Sequence, residues 1–75
     1  MLALAVAVGA FGNADNAQRL AQEFQSAGYP VLMGTQGNLT IVLLGPYATD
    51  AEARRVASQV AAGNFGVVDP TVYHF

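Results

Sequence analysis

Apolar positions along the chain change period several times. Leu4 to Val8 and Thr40 to Leu44 are β-branched and apolar runs, each followed by a glycine (Gly9, Gly45) and, two residues on, by an aromatic ring (Phe11, Tyr47). Beyond each aromatic lies a polar turn, and then the period becomes helical. Ala17, Leu20, Ala21, Phe24 and Ala27 recur at spacings of three and four, which leaves Arg19, Gln22, Glu23 and Gln25 facing water. Ala53, Val56, Ala57 and Val60 draw the same stripe again. Asn13 or Asp15 is placed to cap the first helix. Thr49 caps the second, with Glu52 three residues later as in a capping box. Gly28 and Gly63 are the predicted stops, since glycine enters the left-handed conformation at low cost.

Between the halves, Val31 to Met33 is followed by the polar stretch Gly34-Thr35-Gln36-Gly37-Asn38, which reads as a hairpin loop. The last segment, 67–73, is β-branched but holds Pro70, which has no amide donor and belongs at a strand edge or bulge. The pattern therefore predicts strands at 4–8, 30–34, 39–44 and 67–73, and helices at 15–27 and 50–62. Shifting the sequence by 36 positions lays Gly9 on Gly45, Phe11 on Tyr47, Ala17 on Ala53, Arg19 on Arg55 and Tyr29 on Phe65. One domain, 1–75, built from two pseudo-repeats at about 4–34 and 40–73, is the expectation. Two βαβ units joined by a hairpin give an α+β, βαββαβ fold of the split βαβ (ferredoxin-like) type. Its four-stranded antiparallel sheet carries both helices on one face and leaves the other open.

Composition sharpens this picture. A chain of 75 residues buries only about 60% of its unfolded surface, yet 53% of its residues are hydrophobic and 11% charged, which excludes disorder. Five acidic side chains stand against three arginines and no lysine, for a net charge of −2, so a polyanion finds little to hold. Without cysteine there is neither a disulfide nor a thiolate metal site. The apolar run Met1 to Phe11 lacks the positive flank of a signal peptide and falls short of the ~20 residues of a membrane helix, so this segment is not expected to insert in a membrane. Met1 reads as the start of an excised domain, with any export signal, anchor or enzyme elsewhere in a larger exported parent.

The strings Val6-Ala7-Val8-Gly9-Ala10-Phe11, Asn16-Ala17, Gly28-Tyr29-Pro30-Val31 and Leu44-Gly45-Pro46-Tyr47, followed by Ala53, resemble the SPOR (sporulation-related) family in order and spacing over residues 4–73. The resemblance implies the same βαββαβ fold. It also implies a non-catalytic module of the cell envelope, on the periplasmic or cell-wall side, that binds peptidoglycan glycan strands denuded of stem peptides and localises its parent protein to the division site. Family members use open-face residues for this: a glutamine and a small hydroxyl residue in the first strand, and an aromatic and a basic residue in the third. Here those positions hold Ala7, Ala10, Leu39 and Ile41, and the family roles do not transfer to them. They instead predict an unusually apolar open face, with Ala3, Ala5 and Ala7 on one side of the first strand and Leu39, Ile41 and Leu43 on one side of the third.

The candidate ligand-binding set is therefore Ala7, Ala10, Leu39 and Ile41 on the face, Gln36, Asn38 and Thr40 flanking the hairpin, and Tyr73 on the last strand. Tyr29 and Tyr47 sit at turn positions equivalent to Phe65 and Phe11, where core or corner packing is expected. His74 lacks partners for acid–base or metal chemistry, and Ser26 and Ser58 lack a base. Gly9-Ala10-Phe11-Gly12 lacks the glycine spacing and the lysine of a phosphate loop. No catalytic residue, metal site or cofactor is expected. RNA-recognition modules share the topology, but the first and third strands lack their aromatics and the chain lacks basic charge, which argues against nucleic acid. Glycan binding is the leading expectation. The alternative is an apolar sheet face turned to protein contact, either a weak homodimer or another envelope protein.

Overall fold

The computed structural model of the chain describes residues 3–63, 65–67 and 69–74. Its elements follow the order β1 (Leu4–Phe11), α1 (Ala14–Ser26), β2 (Val31–Gln36), β3 (Leu39–Tyr47), α2 (Asp50–Ala62) and β4 (Thr71–His74). The strands form one antiparallel sheet in the order β2-β3-β1-β4. One core joins Leu4, Val6 and Val8 of β1 and Val42 and Leu44 of β3 to Ala17, Ala21 and Phe24 of α1 and Ala53, Val56 and Val60 of α2. Both helices thus cover the same face, and the expected α+β architecture is the one observed.

Phe24 is fully buried at the centre. The Phe65 ring stacks on it at 4.4 Å and Tyr29 meets it edge-on at 5.7 Å. Tyr29 and Tyr47 both pack against the core from its margin, the role their turn positions predict.

The helix starts follow local chemistry. The Asn13 side chain accepts a hydrogen bond from the Asp15 amide at 2.8 Å, which makes Asn13 the cap in preference to Asp15. The Thr49 hydroxyl accepts from the Glu52 amide at 3.1 Å, and the Glu52 carboxylate accepts from the Ala48 amide at 3.3 Å, one residue before the cap. Gly28 follows α1 with a left-handed φ of 94°. Gly63 departs from expectation: its φ is −83°, so it does not stop α2 by adopting a left-handed conformation. A Cβ there would stand 3.0 Å from the Phe65 ring, so the glycine admits the ring that stacks on Phe24.

All four strands differ from expectation at a boundary, and β3 runs three residues beyond the expected end at 44, to Tyr47. β2 runs on through Gln36, so the predicted loop 34–38 contracts to the two residues Gly37 and Asn38. Gly37 takes a φ of 59° as the first central residue, and among the described residues no non-glycine has positive φ, Asn38 included, the pattern of a type II′ turn. β4 begins at Thr71 rather than at 67, directly after Pro70, which cannot donate to a ladder. Val68, within that predicted strand, lies outside the described residues, as does Met1. β1 continues past Gly9 to Phe11 because of a bulge. Ala7 pairs with Leu43 and Gly9 with Val42, so Val8 is an extra residue. A second irregularity sets Ala5 alone against Gly45 and Pro46, which are joined by a cis peptide. Ala5, expected on the open side of the strand, is fully buried: its Cα lies against Gly45 and it pairs with Tyr73.

Candidate functional site

The bulge at Val8 decides which residues share the open face. Ala7 and Ala10 are three apart, so on an unbroken strand they would point to opposite sides. With Val8 inserted, Ala7 pairs with Leu43 and Ala10 with Ile41, and these two β3 residues lie on one face. On β2 the same face continues through Leu32 opposite Leu43, Gly34 opposite Ile41 and Gln36 opposite Leu39. On β4 it continues through Thr71 opposite Ala7 and Tyr73 opposite Ala5.

Low and high strips alternate across this face. β1 contributes methyl groups and β2 contributes Gly34, while Ile41 and Leu43 of β3 stand between them as a ridge and Leu32 and Tyr73 stand at the flanks. Two shallow depressions result. One, of about 350 Å³, is walled by Leu32, Leu43, Ile41 and Tyr73 over Gly34. The other, of about 210 Å³, has Ala7 and Ala10 at its base, with Gln36, Thr71 and Asp69 supplying polar groups at its rim. Ile41 and Tyr73 line both, so the two depressions are lobes of one trough. Tyr73 is 45% exposed, an aromatic side chain at the border of an apolar surface.

Five of the eight candidate residues meet in this trough: Ala7, Ala10, Gln36, Ile41 and Tyr73. Leu39 shares the face but stands beyond the trough, 42% exposed. Asn38 lies in the turn. Thr40 pairs with Phe11 and Thr35, which puts it on the helix-covered side of the sheet, away from the other seven. Sequence reasoning did not single out Leu32, Thr71 or Asp69. Alternation with Tyr73 was the available signal for Thr71, and the register to Leu43 the one for Leu32.

All three arginines lie on the helices, Arg19 on α1 and Arg54 and Arg55 on α2, so none lines the trough, whose larger lobe is bordered by His74. Arg54 pairs with Asp50 at 2.7 Å in a solvent-exposed helical pair. Among the described residues no group of three or more His, Cys, Asp or Glu side chains is placed to hold a metal ion, and no helix is long and apolar enough to cross a membrane. The chemistry that the trough offers is apolar contact, one tyrosine ring, amide and hydroxyl hydrogen bonds, a single carboxylate acceptor and, at the end of the larger lobe, the histidine His74.

A four-stranded antiparallel sheet with two helices on one face and a shallow trough on the other defines a surface-binding module. The SPOR domain family model matches residues 3–68, and the chain belongs to that family. Three solved structures share the fold. The peptidoglycan binding domain of the B. subtilis cell wall lytic enzyme CwlC superposes with a TM-score of 0.81 at 24% identity, over 100% of this chain and 91% of that one. The RlpA SPOR domain from Pseudomonas aeruginosa superposes with a TM-score of 0.76 at 29% identity, over 93% and 96%. The Spor protein DedD gives 0.70 at 26%, over 97% of this chain and 39% of that one. No curated protein sequence matches the chain at a significant level.

Proposed function

We propose that this domain is a non-catalytic binding module for peptidoglycan, that it holds a glycan strand in the open-face trough, and that it thereby places its parent protein at the division site within the cell envelope. Family membership and the peptidoglycan binding domain of CwlC support the ligand class. The trough carries the reading. A denuded glycan is a long, nearly neutral chain of amino sugars, matched by a groove with one tyrosine ring, polar rims and no arginine. Gln36 and Thr71 offer donors, Asp69 accepts from sugar hydroxyls, and Tyr73 stacks on a sugar face. Ala7, Ala10 and Ile41 form the apolar floor and ridge, while Leu39 and Asn38 border the strand's path and Thr40 supports the sheet from behind.

Purified sacculi, before and after amidase removal of the stem peptides, test this in a pull-down. Binding is expected to rise after amidase treatment, to change little with salt, to fall at least about tenfold with Tyr73→Ala, and to release no sugar. Equal binding to both sacculi, or binding that collapses at moderate salt, overturns the glycan reading. A second reading, face-to-face self-association, has the exposure of Leu39 and Tyr73 behind it. Its magnitude is small. If Leu39, Ile41 and Leu43 each lose ~50 Å² of apolar surface, they contribute roughly 4 kcal/mol per copy, or about 8 kcal/mol for the pair, at ~25 cal/mol per Å². That falls inside the association cost of about 4–15 kcal/mol and leaves little surplus for a dimer. The glycan reading is therefore preferred.

A further inference from the structure

The two edges of the sheet are unequal. β4 offers four residues directly after Pro70. β2 offers six, paired to β3 without a register break and carrying neither charge nor proline. Edge strands are ordinarily kept from pairing by charge, proline, bulges or cover. β2 has none of the first three, and between it and α1 lies an open depression of about 350 Å³ lined by Val31 and Met33.

Pairing to β3 fixes which backbone groups remain free. Gln36 and Leu39 close the two-residue turn, and the Gly45 amide donates to the Pro30 carbonyl at 3.1 Å, so the even-numbered residues of β2 direct their backbone groups to β3. Val31, Met33 and Thr35 turn theirs outward.

We propose that β2 is a self-association edge, at which two copies of this chain pair antiparallel about a two-fold axis at Met33. That register sets Met33 against Met33 and Val31 against Thr35, with about six backbone hydrogen bonds across the axis. It also sets Leu32 of one copy against Gly34 of the other, a large side chain over a position that has none. On the helix side Met33, 48% exposed, meets its mate between depressions rimmed by Gln18, Gln22 and Gln25. Glutamine amides donate and accept at once and are self-complementary. No charged side chain lines this surface, so two identical faces meet without repulsion.

The patch also limits the strength. Six residues at ~3.3 Å each, times the smallest extent of the molecule, 19 Å, give roughly 400 Å² per copy. A stable complex buries about 800 Å² per partner, so this dimer is weak and forms where copies are concentrated. Pairing yields an eight-stranded sheet with both troughs on the same side. The value of that arrangement for gripping one polymer twice rests on the glycan reading, whereas the pairing itself does not.

Sedimentation equilibrium of the chain from micromolar to millimolar concentration tests the pairing without any glycan, so the two readings fail independently. The apparent mass is expected to climb from 7.8 kDa toward twice that value. Met33→Lys, which sets two ammonium groups face to face, raises the dissociation constant at least about tenfold. Thr35→Pro, which removes an outward N–H without touching the β3 ladder, does the same, and Ile41→Arg leaves the dimer intact. Circular dichroism checks that each variant is folded. In the unaltered chain, the amides of Val31, Met33 and Thr35 exchange more slowly as concentration rises. A chain that stays monomeric throughout overturns the proposal, as does a dimer that Ile41→Arg disperses and Met33→Lys leaves intact, or one whose β2 amides show no concentration-dependent protection.

Discussion

Replacing Phe24 by alanine probes the organisation of the core at its centre. The side chain is fully buried and touches two other rings, Phe65 stacked at 4.4 Å and Tyr29 edge-on at 5.7 Å. Truncating a buried phenylalanine costs about 3–5 kcal/mol through lost transfer energy and the cavity left behind. The loss of both ring pairs, each worth ~0.5–1.5 kcal/mol, places this site in the upper part of that range. A chain of this length has roughly 4–11 kcal/mol of stability in all. Phe24→Ala therefore leaves the domain marginal or partly unfolded at room temperature. With a urea slope near ~1 kcal/mol per molar for a small domain, the unfolding midpoint followed by circular dichroism falls by about 3 M or more. A fall of less than ~1 M refutes the reasoning, because it means that the remaining side chains close the cavity and the three-ring cluster is not the keystone of the helix-facing core.

Two further outcomes follow from the helix start and the margin of the core. Thr49→Ala removes the hydroxyl that accepts from the Glu52 amide and lowers unfolding free energy by about 1 kcal/mol, while Thr49→Ser restores most of it; urea unfolding of the pair checks both. The Tyr47 phenol is pushed above its ordinary value of 10.0, first by burial and then by Tyr29 and Glu52. The unfolded chain therefore gives up this proton at lower pH than the folded one. Stability is full below pH 10.0 and declines as pH rises from there toward the folded value, a loss that Tyr47→Phe reduces in alkaline denaturation.

How much of this was legible in the sequence depended on whether one residue or a pairing carried the signal. The helices were legible because Ala17, Leu20, Ala21 and Phe24, and again Ala53, Val56 and Val60, repeat at helical spacing and bury the stripe they predict. β1 was read as ending at Val8, because Gly9 looks like a terminator when strand identity is judged by alternation alone. The strand runs on to Phe11 because Gly9, Ala10 and Phe11 pair with Val42, Ile41 and Thr40 past a bulge at Val8, and that pairing is not visible in β1 alone. The start of β4 was misplaced by four residues for the opposite reason: Val67 has strand-like chemistry, but pairing with β1 begins only after Pro70. For the site, positions 7, 10, 39 and 41 were correctly grouped on one face. The approach of Tyr73 to Ile41 across the sheet is tertiary and has no local signature, and a place beside the hairpin does not say which side of the sheet Thr40 takes, which the register to Phe11 and Thr35 decides.

The floor of the trough is made almost entirely of main chain and single methyl groups: Ala7 and Ala10 on β1 and Gly34 on β2. Depth is therefore set by substitution on a fixed scaffold. A serine at position 10 or a glutamine at position 7 raises the floor and adds a hydrogen-bonding group, with the sheet and its helices left as they are. Leu32 and Tyr73, by contrast, set the width, and Ile41 and Leu43 set the ridge between its two lobes. A surface in which height and breadth belong to separate residues can be refitted from one polymer to another by one or two exchanges, much as a mould is relined while its frame is kept.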